Sequence, residues 1–273
     1  MTGGVVNIGY PQLLLAVALI AVDLLASWKL RLGLVKSITI STVRLLIQLL
    51  ALGFVLGYLF QYQTFWWVAL AVAVMSLAAT QIACDRTRKT VHGIAPSVFL
   101  SIFVPSVSVA LVVVDGVIGA TPWWNAQQLI PIMGMVMGNA LSSVSVAIER
   151  LFADMDARSQ EMYTLVALGA TPREAAFPSI KAAVSAGMAP TLATMCAAGI
   201  VQIPGMMSGQ ILAGADPMVA AKYQIVVLLM ISAASTAAIV AACYLAYKRR
   251  FSSEGYYLEP GLRDDLSQKG PRP

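Results

Sequence analysis

The sequence predicts an all-α integral membrane protein of about seven transmembrane helices, N-terminus outside and C-terminus inside, with a cytoplasmic helical element between spans five and six. Three observations carry this. Of the 273 residues, 59% are hydrophobic and only 11% are charged, where an average soluble domain is roughly 25% charged. Seven mostly apolar stretches of membrane-spanning length recur along the chain. Sixteen of the eighteen Lys and Arg residues fall in loops that one orientation places together on the cytoplasmic face. The basic excess therefore records orientation in a bilayer, and calls for no nucleic-acid partner.

Taken in order, the spans are expected at 10–28, 38–60, 65–84, 95–114, 127–148, 186–203 and 222–247. The first has no Lys or Arg before it and carries Lys29 and Arg31 after it, so it reads as a retained span and not a cleaved signal peptide. Tyr58 and Tyr62, Trp66 and Trp67, and Trp123 and Trp124 lie near span ends, where amphipathic rings prefer the headgroup region. With the first span starting outside, loops 29–37, 85–94 and 149–185 and the tail after Lys248 are cytoplasmic. Of the two remaining basic residues, Arg44 sits within span two and Lys222 falls outside. The outer loops are too short for a folded ectodomain. Residues 1–250 thus form one transmembrane unit, and the polar tail 251–273 is expected to be disordered. Cys84, Cys196 and Cys243, an odd number in apolar surroundings, read as small packing side chains.

The one sizeable polar segment, 149–185, holds a clear helix start. Thr171 can accept from the Glu174 amide while Glu174 reaches back, with Pro172 at the first helical position. Just before it, residues 159–168 favour helix and end at Gly169, a residue suited to a C-terminal cap. The expectation is helix, tight turn, helix. The stretch 182–215 runs without a charge, about 50 Å if it were one helix. Pro204-Gly205 interrupts it, so a helix is expected as far as 203, then a break and a short outer half-helix or re-entrant turn. Asp216-Pro217 supplies the cap and first turn of the last span.

No catalytic constellation is visible, and the protein does not read as an enzyme: the only histidine, His92, belongs to a loop. No phosphate-binding GxxxxGK[ST] loop occurs, so any ATP-driven role needs another chain. Ionisable groups inside spans are expensive and hence functional candidates. Asp23 and Arg44 lie at similar depths in spans one and two, as a structural ion pair, a gate or a substrate contact. In span five, Gly134 and Gly138 form a small-residue pair suited to close helix packing, beside a face bearing Met135, Asn139, Ser142 and Ser143. A similar run follows at Gly205-Met206-Met207-Ser208-Gly209. Methionine thioethers suit Cu(I) better than Fe(II), so the thirteen methionines read first as adaptable packing and second as the lining of a path. Asn139, Gln202 and Gln48 stand out because a buried amide in lipid needs a partner or a pathway. No metal-ligand set can be named.

These residues resemble the FetB-like (UPF0014) permeases of bacterial iron-export ABC transporters, whose plant relatives are linked to aluminium tolerance. The likeness covers roughly residues 38–250. Its carriers are Ile130-Pro131-Ile132-Met133-Gly134-Met135 with Gly138-Asn139-Ala140, Leu168-Gly169-Ala170-Thr171-Pro172, Pro204-Gly205-Met206-Met207-Ser208-Gly209, Ala213-Gly214-Ala215-Asp216-Pro217 and Lys222-Tyr223-Gln224-Ile225, with Arg44 and Gln48 in span two. ABC importers usually carry Glu six residues before the glycine of the Leu-Gly-Ala-Thr-Pro turn; here Tyr163 stands there, and the nearest carboxylate is Glu161. The resemblance implies a permease subunit of the bacterial inner membrane, pairing as two permeases with two separate ATPase subunits that hold ATP and Mg, this chain binding no cofactor itself. It implies a coupling helix that docks on the ATPase through Tyr163, Leu165, Leu168, Gly169, Ala170, Thr171 and Pro172. Met135, Asn139, Ser142, Gln202, Met206 and Met207 become candidates for the translocation path. Asp23, Arg44, Gln48, Gly134, Gly138, Pro204 and Gly205 become structural or gating candidates. Iron or another metal is the implied cargo, with an amphipathic organic molecule as the alternative. A passive channel or scaffold subunit would need no such docking turn.

Overall fold

A backbone crossing lipid must satisfy its own hydrogen bonds, and the apolar stretches of this chain do so as helices. The computed structural model describes residues 9–62, 64–87, 94–119, 121–252 and 255–258; His92 and the tail from 259 onward lie outside the described residues. In chain order the helices are α1 (Tyr10–Ala18), α2 (Ile20–Lys29), α3 (Val35–Tyr62), α4 (Phe65–Thr87), α5 (Ala95–Leu111), α6 (Ala126–Ala157), α7 (Ser159–Ala167), α8 (Pro172–Ala197), α9 (Gly205–Leu212) and α10 (Pro217–Ala246). Helix α5 continues through π-helical turns from Val112 to Ile118. The described residues contain no β-strand.

Among the described residues, five stretches are long and apolar enough to cross a membrane: Val35–Tyr62, Phe65–Asp85, Ala95–Ile118, Ala126–Ala157 and Pro217–Arg250. Seven were expected, and the two shortfalls have different causes. The first apolar stretch is divided at Leu19 into helices of 9 and 10 residues, although Leu19 keeps right-handed helical angles. The 26-residue α8 is long enough, but Arg173, Glu174 and Lys181, with its Ser, Gly, Thr and three prolines, lower its apolar character.

Helix α6 is the axis of the bundle. Its sixteen buried residues meet α4, α5, α8 and α10. At 32 residues it is about 48 Å long, well beyond the roughly 30 Å hydrocarbon core. Residues 149–157, expected in a loop, therefore leave the membrane region on the same helix. One apolar cluster, including Ile102, Ile148, Phe152, Met155, Met162, Ile180 and Tyr247, fills the end where α6, α7 and α8 meet. A second, including Val68, Met133, Met137, Val227 and Met230, fills the opposite end. Among the described glycines the tightest surroundings are at Gly187 of α8: a Cβ there would lie 2.9 Å from the Ala147 Cβ and the Ser143 carbonyl oxygen, and 3.1 Å from Ile239.

The structure corrects two expectations and bears out a third. The sixth span ends at Ala197 and not at 203, because Gly199 takes a left-handed conformation (φ +83°) and turns the chain before Pro204. The short helix α9 then follows as expected, packed on α10. Helix α10 begins at Pro217, as the Asp216-Pro217 cap predicted, and the Asp216 carboxylate caps it, accepting from the amides of Met218 and Val219 at 2.9 and 3.1 Å. The start of the tail, expected to be disordered, folds back as a strap. Phe251 pairs with Tyr257 across a tight turn, Ser252 N–H donates to the Tyr256 carbonyl at 2.8 Å, and Leu258 N–H donates to the Arg250 carbonyl at 2.8 Å. Both rings are buried, so aromatic residues inside a polar tail supply the packing that its overall composition hides.

Candidate functional site

The helix–turn–helix at the end of the bundle is built by local sequence. Arg158 leaves helical geometry (φ −105°, ψ 21°), and its guanidinium bridges Asp154 behind it and Glu161 ahead, bending the chain from α6 into α7. Hydrogen bonding to Arg158 holds the Glu161 carboxyl below the usual carboxylate range. Gly169, at φ +93°, closes α7, with its N–H on the Val166 carbonyl and the Ala170 N–H on that of Leu165. The cap of α8 forms as read from the sequence. Thr171 Oγ1 accepts from the Glu174 amide at 3.3 Å, and Glu174 Oε2 accepts from the Thr171 hydroxyl at 2.7 Å and from the Thr171 amide at 2.8 Å, which together keep that carboxyl low. Of the docking candidates, Tyr163, Leu168, Gly169 and Thr171 are exposed, Leu168 to 81%. Ala170 and Pro172 are half-buried, and Leu165 turns inward against the core.

Behind this turn lies a buried knot. Arg250, at the end of α10, is 3% exposed and donates to Asp156 of α6 at 3.0 Å, with its guanidinium 5.2 Å over the Phe152 ring. The Tyr257 hydroxyl donates to the Met155 carbonyl at 3.1 Å. Burial, reinforced by Asp156, pushes the Tyr257 hydroxyl up to about 12. The Tyr257 ring meets Tyr163 of α7 edge-on at 5.5 Å and Phe251 at 5.6 Å. On the other flank, Arg173 of α8 lies 5.3 Å over the Tyr244 ring of α10. None of these contacts was expected from the sequence. The signal available was Phe251, Tyr256 and Tyr257 within a polar tail.

The span candidates do not converge in one chain. Asp23 and Arg44 are both exposed, and no ion pair joins them. Gln48 borders an apolar crevice of about 660 Å³ between α3 and α4, whose outer rim carries Tyr58, Tyr62 and Trp67. On α6, Asn139 and Ser142 are exposed and bond back to the Met135 and Gly138 carbonyls at 2.8 and 3.1 Å, while Met135 is half-buried. The expected glycine seam is not found within the chain: a Cβ at Gly138 would meet nothing, and one at Gly134 would meet only the flexible end of Met75 at 3.3 Å. Close packing falls to Gly187, which has small, buried residues four positions away on either side in Ala183 and Thr191, a spacing that sequence reading missed. Gln202 is exposed in the turn after α8, Pro204 precedes α9, Gly205 opens it, and Met206 and Met207 are half-buried on it. Gln224 of α10 was also overlooked; it is 7% exposed, and its Oε1 has no hydrogen-bond partner. Among the described residues, no three His, Cys, Asp or Glu side chains gather as a metal-holding group.

The model of an uncharacterised protein family, UPF0014, matches residues 10–251. The chain is 34% identical over 248 residues to the probable iron export permease protein FetB of Escherichia coli, covering 90% of this chain and 94% of that one. It is 32% identical to the UPF0014 membrane protein YjkA of Bacillus subtilis, covering 89% and 96% of the two chains. It is likewise 32% identical to the protein ALUMINUM SENSITIVE 3 of Arabidopsis thaliana, covering 91% and 89%. No solved structure matches.

Proposed function

The chain belongs to the UPF0014 family, and on that premise we propose that it is the membrane permease subunit of an ABC transporter that exports iron or another metal ion. It sits in the bacterial inner membrane as a seven-span protein, N-terminus outside and C-terminus inside. Helices α1 and α2 together make one crossing and α8 another, beside the five stretches already long and apolar enough. The observation that carries the reading is the capped turn between α7 and α8, which presents Tyr163, Leu168, Gly169 and Thr171 outward from a rigid base. A passive channel has no use for such a surface. It docks a separate ATPase subunit, which holds ATP and Mg, and two permeases pair with two ATPases.

The cargo is proposed from the printed name of the Escherichia coli relative. A second reading, an amphipathic organic cargo, is favoured by the apolar crevice between α3 and α4 with its single amide at Gln48. The test is ATPase activity of the permease reconstituted in lipid with its cognate ATPase, titrated with Fe(II), other divalent metals and amphipathic organics. Saturable stimulation by Fe(II), lost in Asn139→Ala or Met207→Ala, supports metal export. Stimulation by organics alone keeps the permease and replaces the cargo, and failure of the two chains to copurify removes the ABC reading.

A further inference from the structure

We propose that the C-terminal strap, residues 250–252 and 255–258, is a working part of the coupling element: it ties the last span, α10, to α7 and α8, so that displacement of the docking turn moves α10 as well as α6 and α8. This rests on the docking role proposed above and extends it to a helix that chain connectivity leaves out. In sequence, α7 joins only α6 and α8, while α10 ends more than seventy residues further on.

The strap bridges that distance with contacts to three helices. Arg250 holds Asp156 of α6 at 3.0 Å, and the Tyr257 hydroxyl holds the Met155 carbonyl at 3.1 Å, both at the bend where α6 gives way to α7. The Tyr257 ring packs edge-on against Tyr163, the residue standing where importers carry their docking carboxylate. Gly255, at φ +89°, passes so close to Pro172 that a Cβ there would touch its ring at 3.7 Å. Tyr163 shows one side to solvent and the other to Tyr257, so a load applied to α7 reaches the strap through a packed aromatic contact. Within the strap the isolated bridge between Phe251 and Tyr257, and the Leu258 amide on the Arg250 carbonyl, hold its two arms together. Packed side chains and a half-buried ion pair resist small displacements, so they transmit them. Arg250 and Tyr257 are positioning residues in this scheme; neither touches cargo.

The test uses the full-length permease in nanodiscs as wild type, Tyr257→Phe, which keeps the ring and removes one hydroxyl, and Arg250→Gln. Amide hydrogen exchange of 159–167 is measured on the permease alone, and the ratio of cargo-stimulated to basal ATPase activity on the complex. Exchange in α7 is expected to rise about tenfold in each variant, the order of one lost buried hydrogen bond, while the stimulation ratio falls toward one. The combination Asp156→Arg with Arg250→Asp is expected to recover part of both losses. Exchange within twofold of wild type in Tyr257→Phe overturns the strap's role, and so does a loosened α7 with a full stimulation ratio. If the wild-type permease binds no ATPase, the docking reading fails by itself, and the exchange data still decide whether the strap holds α7.

Discussion

Helices α3 and α6 are both long and apolar enough to cross a membrane, yet their surroundings differ completely. Sixteen residues of α6 are buried, against one, Leu59, of the 28 in α3. The more apolar of the two is the less buried. In water this would be a contradiction; in lipid it follows from the solvent, because tails solvate Leu and Ile as well as a protein core does. What gathers helices is close shape, as at Gly187 between α8, α6 and α10, together with polar groups that must find partners. Helix α3 carries Ser41, Arg44 and Gln48 on a surface its own chain leaves open.

Four substitutions break or sharpen this contrast. The largest effect is expected from Gly187→Leu, since a Cβ alone already meets backbone at 2.9 Å: a loss of about 3 kcal/mol, read as a fall in thermal unfolding temperature in detergent. Next comes Asp156→Ala, which strips the partner from the buried Arg250 guanidinium and is expected to cost about 2 kcal/mol in the same assay. Thr171→Ala removes the α8 cap and is expected to cost about 1 kcal/mol, visible as faster exchange in the first turn of α8. The paired carboxyl gives that cap a pH signature. Glu174 titrates lower folded than the ordinary 4.5, so its contribution is full above that value and disappears as pH falls through the lower folded one. The smallest effect on the single chain is expected from Leu50→Ala on α3, within about 0.5 kcal/mol, because that side chain is 53% exposed. A large loss there would mean that α3 is held by a second chain in the membrane, and crosslinking of the wild type would then trap a dimer.

The sequence was most legible where structure is local. The Thr171–Glu174 capping box, Gly169 closing α7, and Asp216 capping α10 depend on residues within four positions of each other, and all three form as read. The interruption before α9 was legible in kind and misplaced in position, because Pro204-Gly205 was the stronger signal while Gly199 makes the turn. The candidate site was legible as a segment but not as an assembly. Tyr163 and Thr171 were found, while Arg250 and Tyr257, which meet Asp156 and Tyr163 from about ninety residues away, were marked only by the aromatic residues of a polar tail.

By itself the sequence determined that this chain is helical and apolar enough to enter lipid, where its caps lie and that a polar helical turn leaves the membrane, because hydropathy and capping act over a few residues. Only the tertiary structure decided which face of α6 is buried, that Gly187 and not Gly138 is packed against neighbouring helices, that Asp23 and Arg44 stay apart, and that part of the tail is a strap. The physical reason is common to all four: in an apolar solvent nearly every face of a helix can be accommodated, so partners are chosen by distant shape and by polar groups meeting across the fold, and neither leaves a period in the sequence.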